Sequence, residues 1–368
     1  KITDHWSKSI VDLAIDSAKQ AISESNTSPD VVIFANTLSS YSSSQENLST
    51  IISEELGLSD ITTFKIESSS CSGAMAVNIG HKLLNSDNLE SVLIIGAEKM
   101  TDLSPAETIK ATALGESYEY TQFFGITMNS LYALFSRLYM EKHAVTSEEL
   151  SQFSVLSHKN SVTCKHAQFN REFSLDSINK SATVSSPLRM LNCSPIGDGS
   201  ASLVLSKTNN SNFDDVNILS STSSNSSTSF FSREDLLKFN STTSCLNKSL
   251  AESKINLEDI DLLEIHDVVP AITANILETM GFSKPGNASS DVLSGSYDLN
   301  SKVTLSSSGG LKARGNPLSA TGIYQIIEVT RQLQNRSHTD LENKNIGLCH
   351  NMSGIDSNTV VHILGVAN

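Results

Sequence analysis

IESSSCSGAMA, residues 66–76, is a run of small side chains leading into helix-forming sequence, with one cysteine inside it. The first N–H groups of a helix have no intrahelical partner, so a helix start presents a positive end. A nucleophile placed there is favoured as an anion. The reading turns on whether Ser70 or Cys71 holds that place. One residue of offset swings a side chain by about 100°, so the two are not interchangeable.

Working outward, VVIFANT (31–37), SVLIIGAEK (91–99) and ASLVLSK (201–207) are apolar runs. Such runs mark strands buried on both faces. Ile10, Val11, Leu13, Ala14, Ala18, Ala21 and Ile22 recur at helical spacing. Further helices are expected near 45–57 and 73–85. The second half repeats the order. Residues 235–254 read as a helix, DLLEIHD (261–267) as a strand, and 269–282 and 321–334 as helices. IGLCHN (346–351) and TVVHILG (359–365) read as strands close enough to be antiparallel neighbours. Alternating elements of this kind give the α/β class, layered with mostly parallel sheets. The boundary between halves is expected near 208–218, which makes the units 1–207 and 208–368. Residues 100–190 exceed one crossover and are expected to form an inserted loop subdomain with helices at 124–142 and 147–160. The serine-rich run 220–232 reads as a flexible surface loop.

The chain has 368 residues, long enough for two units and a large core. Its net charge of −14 argues against non-specific nucleic-acid binding, which needs a basic face. No stretch of about 18 apolar residues is present to span a membrane. No secretory leader pattern is visible. The five cysteines, Cys71, Cys164, Cys193, Cys245 and Cys349, are scattered and odd in number, without CxxC spacing. Neither a disulfide framework nor a zinc site is expected, and the chain reads as reduced and cytoplasmic.

Three more stretches accompany the opening one. EIHDVVPAI (264–272) places His266 and Asp267 at a strand end, where α/β proteins hold ligands. GGLKARGNPLSATG (309–322) is glycine-rich and leads into a helix. LCHNMSG (348–354) places His350 and Asn351 at another strand end. These four, in this order, resemble the thiolase superfamily, in particular its sterol-carrier-protein-x branch and the archaeal acetyl-CoA acetyltransferases. HWSKSIVDLAIDSAKQAI (5–22), VLIIGAEKMTD (92–102), LYALFSRLYM (131–140) and LNCSPIGDGSASLVL (191–205) extend the likeness nearly end to end. The resemblance implies the thiolase fold: two similar α/β halves, each with a mixed five-stranded sheet, in a layered α-β-α-β-α core. It also implies a coenzyme A thioester as substrate, no bound cofactor and no metal. Acyl-CoA and a homodimeric partner are expected, with an OB-fold zinc protein and hydroxymethylglutaryl-CoA synthase as further partners.

The family's catalytic pattern is altered at several places. CASG becomes Ser70-Cys71-Ser72-Gly73, so Ser70 takes the nucleophile's position and Cys71 that of the alanine. GHP becomes GNP, with Asn316 in place of the activating histidine, and HDCF becomes HDVV, with Val268 in place of the acid/base cysteine. His266, and His350 with Asn351, are kept. After them Ser353, Ile355 and Asp356 stand where small residues are usual, and Gly354 remains as a substrate-side glycine. Lys312 and Arg314 are candidates for the coenzyme A phosphates, weighed against a merely solvated loop. Cys193, His143 and His166 read as structural.

The chemistry sets what these changes allow. A cysteine thiol of pKa about 8.5, lowered by a helix N-terminus and a histidine, ionises near neutral pH. A serine hydroxyl needs a strong adjacent base. Asparagine accepts no proton and valine exchanges none. Loss of one acid/base group typically costs about 10²- to 10⁴-fold in rate. The expectation is a thiolase-like acyl-CoA acyltransferase with impaired activity, or a non-catalytic acyl-CoA-binding partner of an active paralogue. A serine-based acyl hydrolase using Ser70 with His266 or His350 is a further alternative. His266 and His350 are also candidates for an oxyanion site.

Overall fold

The computed structural model describes residues 1–86, 88–339 and 341–366. The apolar runs become the centres of two sheets. β1 (Val31–Ala35) lies between β2 (Thr62–Ile66) and β3 (Ser91–Glu98), parallel to both. A two-stranded ribbon, β4 (Thr183–Ser185) and β5 (Leu188–Arg189), stands apart. β6 (Gly199–Ser206) pairs antiparallel with β3 and completes the order β2-β1-β3-β6. The second sheet holds β7 (Val216–Asn225), β8 (Leu262–Glu264), β9 (Thr304–Leu305), β10 (Ile346–Ser353) and β11 (Asn358–Val366). Its order is β7-β11-β10-β8-β9. β8 is parallel to β9 and β10, while β11 runs antiparallel to β10 and β7.

Side-chain alternation along the strands builds the layers. Val32 and Phe34 of β1, with Leu93 and Ile95 of β3, pack on the Ile10–Ser25 and Leu48–Glu55 helices. Val31, Ile33, Val92 and Ile94 face the opposite way, onto the Ser72–Ser86 and Thr321–Leu333 helices. Those two helices also meet Leu262, Cys349 and Leu364 of the second sheet. The far face of that sheet, through Leu263, Leu348, Val361 and Ile363, packs on the Asn240–Ser253 and Pro270–Met280 helices. The result is helix, sheet, helix, sheet, helix. Each fully buried Val, Leu, Ile or Phe side chain stabilises this stack by about 1.5–3 kcal/mol.

The two central helices begin against each other, and glycine makes that possible. A Cβ on Gly73 would lie 2.3 Å from the Ser319 carbonyl oxygen, and one on Gly322 would lie 2.6 Å from the Ala74 nitrogen. No side chain fits at either place. Both helix N-termini are thereby brought to one spot between the sheets.

The sequence expectations meet the structure with four differences. Among the described residues the first sheet has four strands where five were expected. Where β7 pairs along β11 in the second sheet, the chain beside β6 contributes only an isolated antiparallel bridge, between Thr3 and Asp198. The serine-rich segment read as a loop is in large part β7. Its Ser220, Ser221 and Thr222 are buried, and Thr222 Oγ1 donates to the Cys245 carbonyl at 3.0 Å. Internal hydrogen bonds let a polar strand sit inside. β2 and the two-residue β9 carry too few apolar residues to show in the chain. The helix expected from 124 begins at Met128, because Thr127 caps it and Gly125 (φ 71°) closes the preceding turn. Among the described residues no helix is long and apolar enough to cross a membrane.

Candidate active site

The opening stretch forms a tight connection between β2 and the Ser72–Ser86 helix. Ser69 turns it with φ 49°, and Ser68 and Ser70 form a bridge across the turn. Ser72 Oγ accepts from the Ser68 N–H at 2.8 Å and donates to the Ser69 carbonyl at 2.6 Å. Cys71 points inward and is fully buried beside Ala74 and Val360. Its Sγ lies 3.2 Å from the Ser68 carbonyl and 3.0 Å from Ser353 Oγ, while its N–H donates to Ser353 Oγ at 3.2 Å. Burial raises the thiol above its ordinary range, and the bonds to Ser353 and Ser68 offset only part of that. Ser70 is half-buried, and among the described residues its hydroxyl has no partner. The one-residue offset therefore has a physical meaning: one side chain joins the core and its neighbour stays partly exposed.

The period of two also separates His350 from Asn351 on β10. Asn351 faces the central helices, where its Nδ2 donates to His266 Nδ1 at 3.2 Å. With Nδ1 accepting, the proton of His266 sits on Nε2 and is available as a neutral donor. Burial lowers His266 to about 3, so it does not charge near neutral pH. His350 faces the other way. Its Nε2 is 3.0 Å from Thr242 Oγ1, whose own proton goes to Asp356 Oδ1 at 2.7 Å. His350, read from the chain as a site residue beside His266, thus has its side chain on the outer face of the sheet. Asn351 is the member of that pair that meets His266.

The glycine-rich segment is buried throughout. Asn316 accepts from Thr321 Oγ1 at 2.9 Å, its N–H donates to the Pro195 carbonyl at 3.2 Å, and its Nδ2 is 3.5 Å from Ser194 Oγ. It holds the loop against the 194–196 segment. Val268 is buried in the outer core, and its carbonyl takes the Ser194 N–H at 2.8 Å. The expectation that Lys312 and Arg314 meet coenzyme A phosphates is corrected, as is their alternative as a solvated loop. Arg314 is fully buried, donates to Glu264 Oε2 at 3.0 Å and lies over the Tyr324 ring. Lys312 is 3% exposed, 5.9 Å from the Phe169 ring centre, and lowered by burial to about 8. Asp267 accepts from the Leu311 N–H at 2.7 Å and ties this loop to the end of β8.

Gly354 has φ 56°, and a side chain there would meet Glu116 Oε1 at 2.6 Å. Nothing in the chain pointed to Glu116. It lies in the long segment between β3 and β4, and only folding brings it beside the β10–β11 turn. Among the described residues one group of three could ligate a metal ion: Cys164, His166 and Glu328, with donor atoms within 4.8 Å of one another. His166, read from the chain as structural, is already hydrogen-bonded there, with Nε2 2.5 Å from Glu328 Oε1. A metal would have to open that pair. Burial opposes ionisation of Glu328, but His166 and Arg314 outweigh it and hold the carboxyl at about 2.

Two domain families match this architecture. The thiolase N-terminal domain matches residues 3–209, and the thiolase C-terminal domain-like family matches residues 222–366. The chain belongs to the thiolase family. It is 30% identical over 370 residues to an acetyl-CoA acetyltransferase of Methanothermobacter thermautotrophicus, covering 99% of this chain and 96% of that protein. Identity is also 30%, over 378 residues, with the acetyl-CoA acetyltransferase of Methanocaldococcus jannaschii, with the same coverage of 99% and 96%. Among solved structures, the Ltp2-ChsH2(DUF35) aldolase superposes with a TM-score of 0.86 at 19% identity, covering 99% of this chain and 95% of that one. Acetyl-CoA acetyltransferase from Syntrophomonas wolfei superposes at 0.76 with 17% identity, covering 99% and 96%. This thiolase-family chain is therefore acetyl-CoA acetyltransferase-like over nearly its whole length.

Proposed function

We propose that this chain binds an acyl-coenzyme A thioester where the Ser72–Ser86 helix begins beside the ends of β8 and β10, and that its thiol-dependent thiolase activity is impaired. Cys71 carries the reading. Its thiol is fully buried, shared with Ser68 and Ser353, and shifted away from the thiolate. The partly exposed side chain beside it is Ser70, and the described residues put no base within hydrogen-bond reach of its hydroxyl. His266 supports thioester binding, because a neutral Nε2–H in a buried setting suits a carbonyl oxygen. A helix N-terminus beside it adds positive potential without a formal charge.

The likeness in fold to the Ltp2-ChsH2(DUF35) aldolase supports a second reading. In it the chain works as one subunit of an assembly, with an OB-fold zinc protein or an active paralogue as partner. Homodimerisation belongs to the same expectation.

Intact-mass measurement after incubation with acetyl-CoA and acetoacetyl-CoA tests the first reading, with Ser70→Ala and Cys71→Ala alongside. The expected result is retained binding and no thioester adduct. An acetyl adduct that disappears in Cys71→Ala would defeat the proposal. An adduct that disappears in Ser70→Ala would replace it with serine-based acyl chemistry.

A further inference from the structure

Glu116 lies by the turn that carries Ser70, framed by contacts of its neighbours on both sides. Gly115 lies against Ser69, so closely that a Cβ there would be 2.5 Å from Ser69 Oγ. On the other side, the Cys71 N–H bonds to Ser353, which adjoins Gly354, and Gly354 backs onto Glu116 Oε1. The residues before and after Ser70 thus touch the two places that frame Glu116. A larger residue at Gly354 would displace the carboxylate. Only 6% of Glu116 is exposed, and among the described residues no donor reaches its carboxylate oxygens.

The groups around it are few. Arg233 follows the Phe230–Ser232 turn and is the positive charge acting on Glu116. Tyr132, on the Met128–His143 helix, feels the Glu116 charge and that of Cys193. Asp356, in the β10–β11 turn, acts on Arg233 but accepts from the Ser241 and Thr242 N–H groups and from Thr242 Oγ1. Arg233 Nη2 donates to the Ser227 carbonyl at 2.8 Å, while its Nε and Nη1 are buried and unpartnered. Two buried donors left unmade are costly, about 1–3 kcal/mol each, unless a ligand oxygen takes them. A carboxylate and unpartnered guanidinium donors therefore lie within reach of each other's charge without pairing.

We propose that Glu116 is the base that removes the α-proton of the bound acyl-CoA thioester, with Arg233 as its positioning charge. The step breaks the α-carbon C–H bond. Its electron pair moves into the enolate, whose oxygen takes the negative charge, and the proton goes to Glu116. Return of the proton from Glu116 restores the thioester. No thiol, oxidant or co-reactant enters, so the step survives the loss of a reactive cysteine. Burial lifts Glu116 to about 7, against the pull of Arg233, and a base near the working pH is the efficient one.

The proposal rests on the thioester-binding reading, and two measurements keep them apart. Calorimetry with acetyl-CoA tests binding. Mass spectrometry of acetyl-CoA held in D₂O with the full chain tests α-proton exchange. The wild type is expected to bind and to exchange faster than buffer, with a rate that rises with pH through a midpoint near 7. Glu116→Gln is expected to bind equally well and to lose about 10²- to 10⁴-fold in exchange. Arg233→Gln is expected to move the midpoint to higher pH, because removing a positive charge raises a carboxyl's pKa. A bound wild type with no exchange overturns the proposal, as does undiminished exchange in Glu116→Gln. If Glu116→Gln does not fold, an unmoved midpoint in Arg233→Gln overturns it. Failure of the wild type to bind acetyl-CoA removes the functional reading first and this step with it.

Discussion

The two central helices start a few ångströms apart, yet the segments leading into them are built from opposite materials. Before Ser72 the chain offers hydroxyls, one thiol and a single carboxylate, Glu67, which accepts from the Ser69 N–H at 2.6 Å on a short turn. Before Thr321 it offers Lys312 and Arg314, buried with Asp267, Glu264 and Glu328 close by. The first segment leaves Ser70 partly exposed. The second is locked by ion pairs and hydrogen bonds, and its Asn316 is bonded to Thr321. The comparison teaches that closeness to a candidate active site does not make a residue available to it. One segment supplies the opening, and the other supplies the rigidity that holds it.

The largest test of this contrast is Arg314→Met. It strands the Glu264 carboxylate, which Arg314 meets at 3.0 Å and whose Oε1 has no partner already. Removing one partner of a buried ion pair destabilises by about 3–5 kcal/mol. Urea unfolding is expected to show a loss of that order; a change below about 1 kcal/mol would mean the ion cluster is not structural.

Acid pH comes next. His158, His266, His350 and His362 are each held by burial at about 3, below the ordinary 6.5. The unfolded chain takes up those protons first. Their contribution to stability is therefore complete above pH 6.5 and is lost as pH falls toward 3. Glu98, raised by burial to about 7, acts in the opposite sense, and its contribution is lost as pH rises through that value. Unfolding midpoints measured from pH 6.5 downward are expected to fall, and His350→Gln is expected to flatten that fall by about 1.4 kcal/mol per pH unit at most. An unchanged slope would show that His350 is charged in the fold.

Cys71→Ala sharpens the difference between the two adjacent residues. It deletes a buried sulfur and its contacts with Ser68 and Ser353. A loss of about 1–2 kcal/mol is expected, with thioester binding intact. Smallest of all, Ser70→Ala is expected to stay within about 0.5 kcal/mol, since the half-buried hydroxyl has no partner to lose. If Ser70→Ala were the more destabilising of the two, the assignment of core and partly exposed side chain would be reversed.

Much of the fold was legible in the chain because it rests on periodicity. Continuous apolar runs announced β1, β3 and β6, and the helix over 147–160 was readable to the residue. β7 was not, because its buried hydroxyls look like loop composition, and partners that hold them are far away in sequence, such as Asn78, which donates to Ser221 Oγ at 2.8 Å. The same limit applied to the site. His266 could be found from its place at a strand end. The opposite facing of His350 and Asn351 follows from alternation, but which of them meets His266 depends on how β10 lies beside β8.

Local order along the chain, then, determined the layers and the four stretches that carry the candidate chemistry. Folding decided which side chains reach it. Cys71 is drawn inward because Ser353, 282 residues away, bonds to it. Lys312 and Arg314 are closed off because Glu264, Asp267 and Glu328 converge on them from other elements. Glu116 enters only because the bare Cα of Gly354 leaves it room. Contacts of this kind join residues far apart in the chain, and no periodicity along the sequence encodes them.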